Sequence, residues 1–186
     1  MKIGDKIADF EFEMFHDGEI KRGKLSDYKG KWLVLAFYPA DFTFICPTEL
    51  SELADNYEEF KKLNAEVISF SIDTAYAHKA WHDTSPAIKK VTYPMGSDCT
   101  HEICKEFGTH IDKEGVSQRA TFIIDPDGIL KAMDIHDNSI GRSAKEILRK
   151  LKASKFVAEH RGQVCPASWE PGKETIKPST KLVGKM

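Results

Sequence analysis

Trp32-Leu-Val-Leu-Ala-Phe-Tyr38 carries no charged residue and stops at Pro39, and the residues after it change period. An apolar run this short, bounded by proline, reads as a strand buried on both faces. Leu50, Leu53, Ala54, Tyr57, Phe60 and Leu63 then recur at spacings of three and four, which predicts an amphipathic helix. Glu66-Val-Ile-Ser-Phe-Ser-Ile-Asp73 reads as a second buried strand, and the stretch around Ala75 to Asp83 as a second helix. Two doubly buried strands joined by a helical crossover are the signature of a parallel α/β sheet.

Further along, Ala120 to Asp125 and Ile129 to Ile135 are predicted strands joined by Pro126-Asp127-Gly128, a tight-turn sequence that makes an antiparallel hairpin. Ser143-Ala-Lys-Glu146 fits a capping box and opens a helix with Ile147, Leu148 and Leu151 on one side. A parallel βαβ unit, a β-hairpin and a closing helix, in that order, make the expected fold α/β and thioredoxin-like, with an N-terminal extension. Beyond Gly162 the texture changes: Pro166, Pro171, Gly172, Pro178 and Gly184 punctuate a polar tail expected to form no regular element. The expected organisation is one domain over residues 1–161 and a C-terminal arm over 162–186.

A chain of 186 residues can bury about 70% of its unfolded surface, so a core forms without staples. With 41% hydrophobic and 30% charged residues, the composition argues against extensive disorder. There is no repeat and no run long and apolar enough to span a bilayer, which rules out a spanning helix, and no membrane partner is expected. The net charge of −2, without a basic cluster, excludes nucleic acid as an expected partner. The opening Met-Lys-Ile-Gly-Asp-Lys lacks a signal peptide's apolar stretch, so the expected location is the cytoplasm. In such a reducing compartment four cysteines are catalytic, metal-binding or simply buried, and do not build a disulfide scaffold.

The four differ by context. Cys46 lies between the first buried strand and the first long helix and is followed by Pro47. Proline is favoured at the first helical position, so Cys46 is expected at the N-cap, its sulfur facing the N–H groups of Thr48 and Glu49. Both those donors and the helix dipole favour thiolate over thiol, and the thiolate is the nucleophile. A buried structural thiol is the plainer alternative. Cys165 sits in the arm, in Val164-Cys-Pro-Ala-Ser-Trp169, where a mobile segment could deliver a second thiol or simply expose an idle one. Cys99 and Cys104 fall on a predicted helix after Asp98. Five helical residues separate α-carbons by about 8.7 Å, beyond disulfide reach. Cys104, beside Ile103 and near Phe107, reads as core, and the Asp98 carboxylate should oppose ionisation of Cys99.

Several other features read as structural. His78 and His82 are four apart on a predicted helix, but Lys79 stands where a zincin needs glutamate and no third ligand is evident. Arg149, Lys150, Lys152 and Lys155 read as a solvated helix face. No phosphate loop or dinucleotide fingerprint occurs, and no Cys-x-x-Cys pair stands at a helix start.

Tyr38-Pro-Ala-Asp-Phe-Thr-Phe-Ile-Cys-Pro-Thr-Glu49 resembles the active-site loop of the peroxiredoxins, whose Pro-x-x-x-Thr-x-x-Cys pattern is met by Pro39, Thr43 and Cys46. Asp73-Thr74, His78-Lys-Ala-Trp81, Arg119-Ala-Thr-Phe-Ile-Ile-Asp-Pro-Asp-Gly128, Gly162-Gln-Val-Cys-Pro-Ala-Ser-Trp169 and Lys181-Leu-Val-Gly-Lys185 extend the likeness in the right order. Within that family the chain resembles the typical two-cysteine group, of the bacterial alkyl hydroperoxide reductase type.

The resemblance implies a thiol peroxidase that reduces hydrogen peroxide and organic hydroperoxides. It makes Cys46 the peroxidatic nucleophile that becomes a sulfenic acid, and Arg119 the positive charge that holds its thiolate. It makes Thr43 the hydroxyl that orients the peroxide, Pro39 the shield against water, and Glu49 the residue that holds Arg119. It makes Cys165 the resolving thiol, closing a disulfide with Cys46 of a partner subunit. It implies a homodimer, assembled into a ring of five dimers, a reductant that is a flavoprotein disulfide reductase or a thioredoxin system, and no metal or cofactor of the enzyme's own.

There are departures from the family pattern. Cys99 and Cys104 belong to no family motif, and Ala77 stands where relatives often carry a larger residue on the implied dimer–dimer surface. Gly108-Thr-His-Ile-Asp-Lys-Glu-Gly115 lacks the Gly-Gly-Leu-Gly loop of peroxide-sensitive relatives, and no Tyr-Phe pair follows Cys165. Resistance to overoxidation is therefore expected, unless Trp169 pins the arm instead. A holdase chaperone and a protein-thiol oxidoreductase are the competing readings.

Overall fold

The computed structural model describes residues 1–185. These form two compact units that divide between Ala144 and Lys145. The first holds a seven-stranded sheet built from β1 (Glu11–His16), β2 (Glu19–Lys24), β3 (Trp32–Phe37), β4 (Ala65–Ser71), β5 (Met95–Ser97), β8 (Arg119–Ile124) and β9 (Leu130–His136), in the order β2-β1-β5-β4-β3-β8-β9. A separate two-stranded ribbon pairs β6 (His110–Ile111) with β7 (Val116–Ser117).

The expected frame is present. β3 and β4 run parallel in register from Trp32↔Ala65 to Phe37↔Phe70, and every residue of β3 is buried. β8 and β9 form the antiparallel hairpin, turned by Pro126-Asp127-Gly128. The Asp125 carboxylate accepts the N–H groups of Asp127 (3.0 Å) and Ile129 (2.9 Å), which holds that turn.

Side chains alternate across strands, so one face gathers Phe12 and Met14 of β1, Leu35 and Phe37 of β3, Ile68 and Phe70 of β4, and Phe122 and Ile124 of β8. Ile103 and Cys104 of α4 (Glu102–Glu106), with Phe107, complete that core. The Phe37 ring lies 5.5 Å from Phe70 and 5.2 Å from Phe107, the offset contacts aromatic rings prefer.

Three readings need correction. The single helix expected after Cys46 is two, α1 (Cys46–Asp55) and α2 (Tyr57–Lys62), interrupted at Asn56. The Asn56 side chain donates to the Glu52 carbonyl at 2.8 Å, so a short amide competes with the backbone ladder where the apolar spacing continued unbroken. Cys99 and Cys104 do not share a helix: Cys99 lies exposed in a turn, and only Cys104 is in α4. The Asp98 carboxylate accepts from Ile103 N (3.0 Å) and Cys104 N (2.7 Å), so the helix cannot begin before it. The tail carries an isolated Val164↔Ile176 bridge and a 3₁₀ turn at Thr180–Leu182 where no regular element was expected.

The N-terminal hairpin was not anticipated in detail. Asp17-Gly18 turns it with both residues at positive φ (53° and 79°), which glycine adopts without strain. α3 (Ala75–Thr84) begins at Thr74, whose hydroxyl accepts from Ala77 N at 3.2 Å.

The second unit contains α5, which spans Ala144–Glu159, and the tail. Ile147, Leu148 and Leu151 are buried as expected, whereas Arg149, Lys150, Lys152 and Lys155 are half-buried and not a fully solvated face. Trp169 is buried; its ring lies 4.8 Å from Phe156 and its Nε1 donates to the Lys173 carbonyl at 3.1 Å. No helix of the described residues is long and apolar enough to cross a membrane.

Candidate active site

β8 lies antiparallel to β3 with Ala120 opposite Phe37. Its first residue, Arg119, therefore stands where β3 ends and the chain turns through residues 38–45 toward α1. That register brings together two residues far apart in sequence: Arg119 Nη1 donates to Cys46 Sγ at 3.2 Å, with both residues buried.

Cys46 is the first residue of α1, and Ile45, not Cys46, is its N-cap. The Ile45 carbonyl accepts the N–H groups of Thr48 (2.9 Å) and Glu49 (3.2 Å), so the backbone donors assigned to the sulfur from sequence are already engaged. The helix starts one residue early because Ile45 adopts helical dihedrals (φ −84°, ψ −39°), with proline second in the helix. The positive charge at the sulfur belongs to Arg119.

Glu49, one turn along α1, accepts from Arg119 Nη1 at 2.7 Å through Oε2. Its main partner is one the sequence analysis did not single out. Arg142 donates its backbone N–H and its Nε to Oε1, both at 2.8 Å, and its Nη2 to Oε2 at 3.2 Å. Arg142 Nη1 donates to the Ala120 carbonyl and to Thr121 Oγ1 (3.2 Å), which ties the loop before α5 to β8. Arg119 is further held by Asn138: its Nε donates to the Asn138 carbonyl (2.9 Å) and its N–H to Asn138 Oδ1 (3.1 Å). Nothing in the local sequence marks Arg142 or Asn138. Arg142 sits between Gly141 and the capping-box serine, outside any periodic stretch.

Electrostatics follow from this arrangement. Burial alone would raise the Glu49 carboxyl, but the hydrogen bonds and charge of Arg142, with the charge of Arg119, hold it below the ordinary carboxylate value. Burial likewise works against the Arg119 charge, yet its contacts with Cys46 and Glu49 hold its pKa above the ordinary guanidinium value. Two guanidinium groups and one carboxylate leave a buried excess of one positive charge beside the Cys46 sulfur.

The loop that delivers Cys46 has its own support. Tyr38 OH donates to Asp41 Oδ1 (2.7 Å), His78 Nδ1 contacts Asp41 Oδ2 (2.8 Å), and Asp41 N donates to Asp73 Oδ2 (2.8 Å). The other His78 nitrogen lies 3.1 Å from the Gly96 carbonyl. A Cβ at Gly96 would sit 2.4 Å from the Phe70 ring, so only glycine fits beside that ring. Burial, then the Asp41 carboxylate, push the Tyr38 phenol well above its usual range, so it serves as a neutral donor. His78 is thus a buried residue that holds Asp41 in place. Pro39 and Thr43 are half-buried, and the Thr43 hydroxyl donates to the Ala40 carbonyl at 2.9 Å.

The remaining cysteines are free thiols, as is Cys46. Cys104 is buried, and desolvation followed by Asp98 pushes it up to about 12. Cys99 Sγ lies 3.1 Å from Ser97 Oγ. Cys165 is half-buried in the second unit, and its desolvation raises its pKa.

Comparison with known proteins agrees with this geometry. Residues 3–133 match the AhpC/TSA family and residues 153–186 the C-terminal domain of 1-Cys peroxiredoxin. The chain is 46% identical over 184 residues to alkyl hydroperoxide reductase C of Pseudomonas aeruginosa, covering 99% of this chain and 98% of that one. Among solved structures it is similar to Enterococcus faecalis AhpC (TM-score 0.86, 46% identity, 88% of this chain and 98% of that). It is also similar to reduced Plasmodium vivax 2-Cys peroxiredoxin (TM-score 0.92, 35% identity, 97% and 95%). These likenesses bear out the thioredoxin-like frame.

Proposed function

The chain belongs to the AhpC/TSA family of peroxiredoxins, and from that premise we propose how its buried cysteine turns over peroxide. The enzyme is a thiol-dependent peroxidase acting on hydrogen peroxide and organic hydroperoxides. The observation that carries the assignment to Cys46 is its 3.2 Å contact with Arg119 inside a cluster that is one negative charge short.

The Cys46 thiolate attacks one peroxide oxygen. The S–O bond forms as the O–O bond breaks, the electron pair leaves on the second oxygen, and a proton makes it water or alcohol. Sulfur is oxidised to sulfenic acid and the peroxide is reduced. Arg119 stabilises the thiolate and then the charge on the leaving oxygen. Thr43 turns its hydroxyl from Ala40 to the peroxide and orients it for in-line attack. Pro39 covers the pocket, and Glu49, clamped by Arg142, keeps the Arg119 fork in place.

Cys165 of a partner subunit then attacks the sulfenic sulfur, releasing water and closing an intersubunit disulfide. Cys46 is the first residue of α1, so that turn must open before the two sulfurs meet. The active unit is a homodimer assembled as a ring of five dimers. It works in the cytoplasm and is re-reduced by a flavoprotein disulfide reductase or a thioredoxin system.

Peroxide consumption with a dithiol reductant, wild type against Cys46→Ser, tests the reading. Cys46→Ser should abolish turnover, by a factor on the order of 10⁴ or more. Turnover at the wild-type rate would remove Cys46 from the mechanism. On non-reducing gels, stoichiometric peroxide should give a dimer band that either Cys46→Ser or Cys165→Ser removes. A monomer band would refute the intersubunit pairing.

A further inference from the structure

On the first unit, α4 and the β6–β7 ribbon bring together three side chains that the peroxidase chemistry does not use. His101 Nδ1 and His110 Nε2 face each other at 2.7 Å, their rings 4.8 Å apart and inclined at 71°. Cys104 Sγ lies beside them, 3.5 Å from the His101 carbonyl, and one nitrogen from each histidine and the sulfur all fall within 4.8 Å of one another. The His110 side chain is only 9% exposed.

Hydrogen-bond roles sharpen this picture. His110 Nδ1 lies 2.9 Å from Asp112 Oδ1, and a carboxylate only accepts, so the proton is on Nδ1 and Nε2 presents its lone pair to His101. A carboxylate behind a histidine, fixing its tautomer, is the outer-shell arrangement that orients metal-ligating imidazoles. His101 holds a left-handed backbone (φ 61°, ψ 13°) at the N-cap of α4 but makes no capping bond there; Asp98 takes that role. The backbone strain at a non-glycine residue serves to place the His101 ring against His110 rather than to cap the helix.

We infer that His101, Cys104 and His110 form a binding site for a transition-metal cation of the zinc class, with Asp112 as the outer-shell partner of His110. Two imidazoles and one thiolate suit a borderline-soft ion, and three protein ligands leave a tetrahedral position for water. At ordinary zinc bond lengths the two nitrogens must part to about 3.3 Å and the sulfur must close to about 3.5 Å from each, movements within reach of side-chain rotation. Binding exchanges the Cys104 proton for the metal, so one proton leaves as the S–metal bond forms. The ion would tie α4 to the ribbon that ends two residues before Arg119. Gln118 N already donates to the Thr109 carbonyl (2.7 Å) along that path, so the metal would stiffen the segment that carries the active-site arginine.

The test uses the full chain with Cys46, Cys99 and Cys165 replaced by serine, so that Cys104 is the only thiol, reduced with a phosphine. Zinc binding is followed by calorimetry, and Co²⁺ by absorption. The expected result is one ion per chain, a thiolate-to-cobalt charge-transfer band, and a thermal unfolding midpoint that rises with added zinc. Cys104→Ser should abolish the band, His110→Ala should weaken zinc binding at least tenfold, and Asp112→Asn should weaken it about 10- to 100-fold. Circular dichroism confirms that each variant folds; should Cys104→Ser fail, His101→Ala and exposed Asp112→Asn still decide the matter. No saturable binding, a cobalt spectrum without the charge-transfer band, or affinity unmoved by His110→Ala would each overturn the site.

Discussion

Cys46 and Cys104 are equally hidden, at 0% and 1% exposure, and each sits in the first turn of its helix. Their neighbours have opposite sign. Cys46 touches the Arg119 guanidinium, whereas Cys104 lies by Asp98 and is driven up to about 12, first by burial and then by that carboxylate. Burial removes water from both and so magnifies whichever charge is near. Within one fold, two equally buried sulfurs are set apart by the sign of the charge beside each.

The largest effect should come from oxidising the metal-free protein with one equivalent of hydrogen peroxide. Burial and the Asp98 carboxylate both disfavour the Cys104 thiolate, so Cys104 should stay reduced while Cys46 is consumed. Mass spectrometry of trapped peptides reads this directly, and comparable oxidation of the two would break the contrast.

Next in size is the support under Arg119. Arg142→Met leaves Glu49 buried without its main partner, which should cost about 3–5 kcal/mol of stability by denaturant unfolding. A loss below 1 kcal/mol would mean that Arg119 alone suffices to pair Glu49. Arg119→Lys keeps a charge but loses the fork that serves Cys46, Glu49 and Asn138 together. It should lower the rate of peroxide attack about 10²-fold with little change in fold, as stopped-flow kinetics would reveal.

The smallest effect is the pH response of the same cluster. Glu49 is held below its ordinary value of 4.5, so its contribution to stability is fully present above that pH and is lost as pH falls through the lower folded value. Unfolding midpoints should be flat from neutrality to about pH 5 and then decline. In Glu49→Gln that part of the decline should be missing, so an unchanged acid slope would show that another carboxylate controls it.

The arm offers a contrast of its own. Lacking the motifs of sensitive relatives, it was expected to release Cys165 quickly, yet Trp169 is buried against Phe156 and hydrogen-bonded to Lys173. An indole sealed this way is the Trp169 anchor that the sequence offered as the alternative to a freely moving arm.

Local composition was enough for β3, β4, α3 and the β8–β9 hairpin, because apolar runs, helical spacing and a Pro-Asp-Gly turn are each decided within a few residues. Its punctuation also singled out Cys46, at a strand-to-helix junction before proline. What the sequence could not decide were events between distant residues or finely balanced ones: the break at Asn56, whose side-chain amide and backbone N–H share the Glu52 carbonyl, and the start of α1 at Cys46 rather than after it. Arg142 shows the same limit, since a charged residue in a loop looks solvated until tertiary contacts bury it. Only the antiparallel register of β8 against β3 sets Arg119 over Cys46, and only the approach of the loop before α5 delivers Arg142 to Glu49. Sequence periodicity governs which surfaces are apolar, but the sign of the charge beside a buried sulfur depends on which distant strand comes to lie next to it.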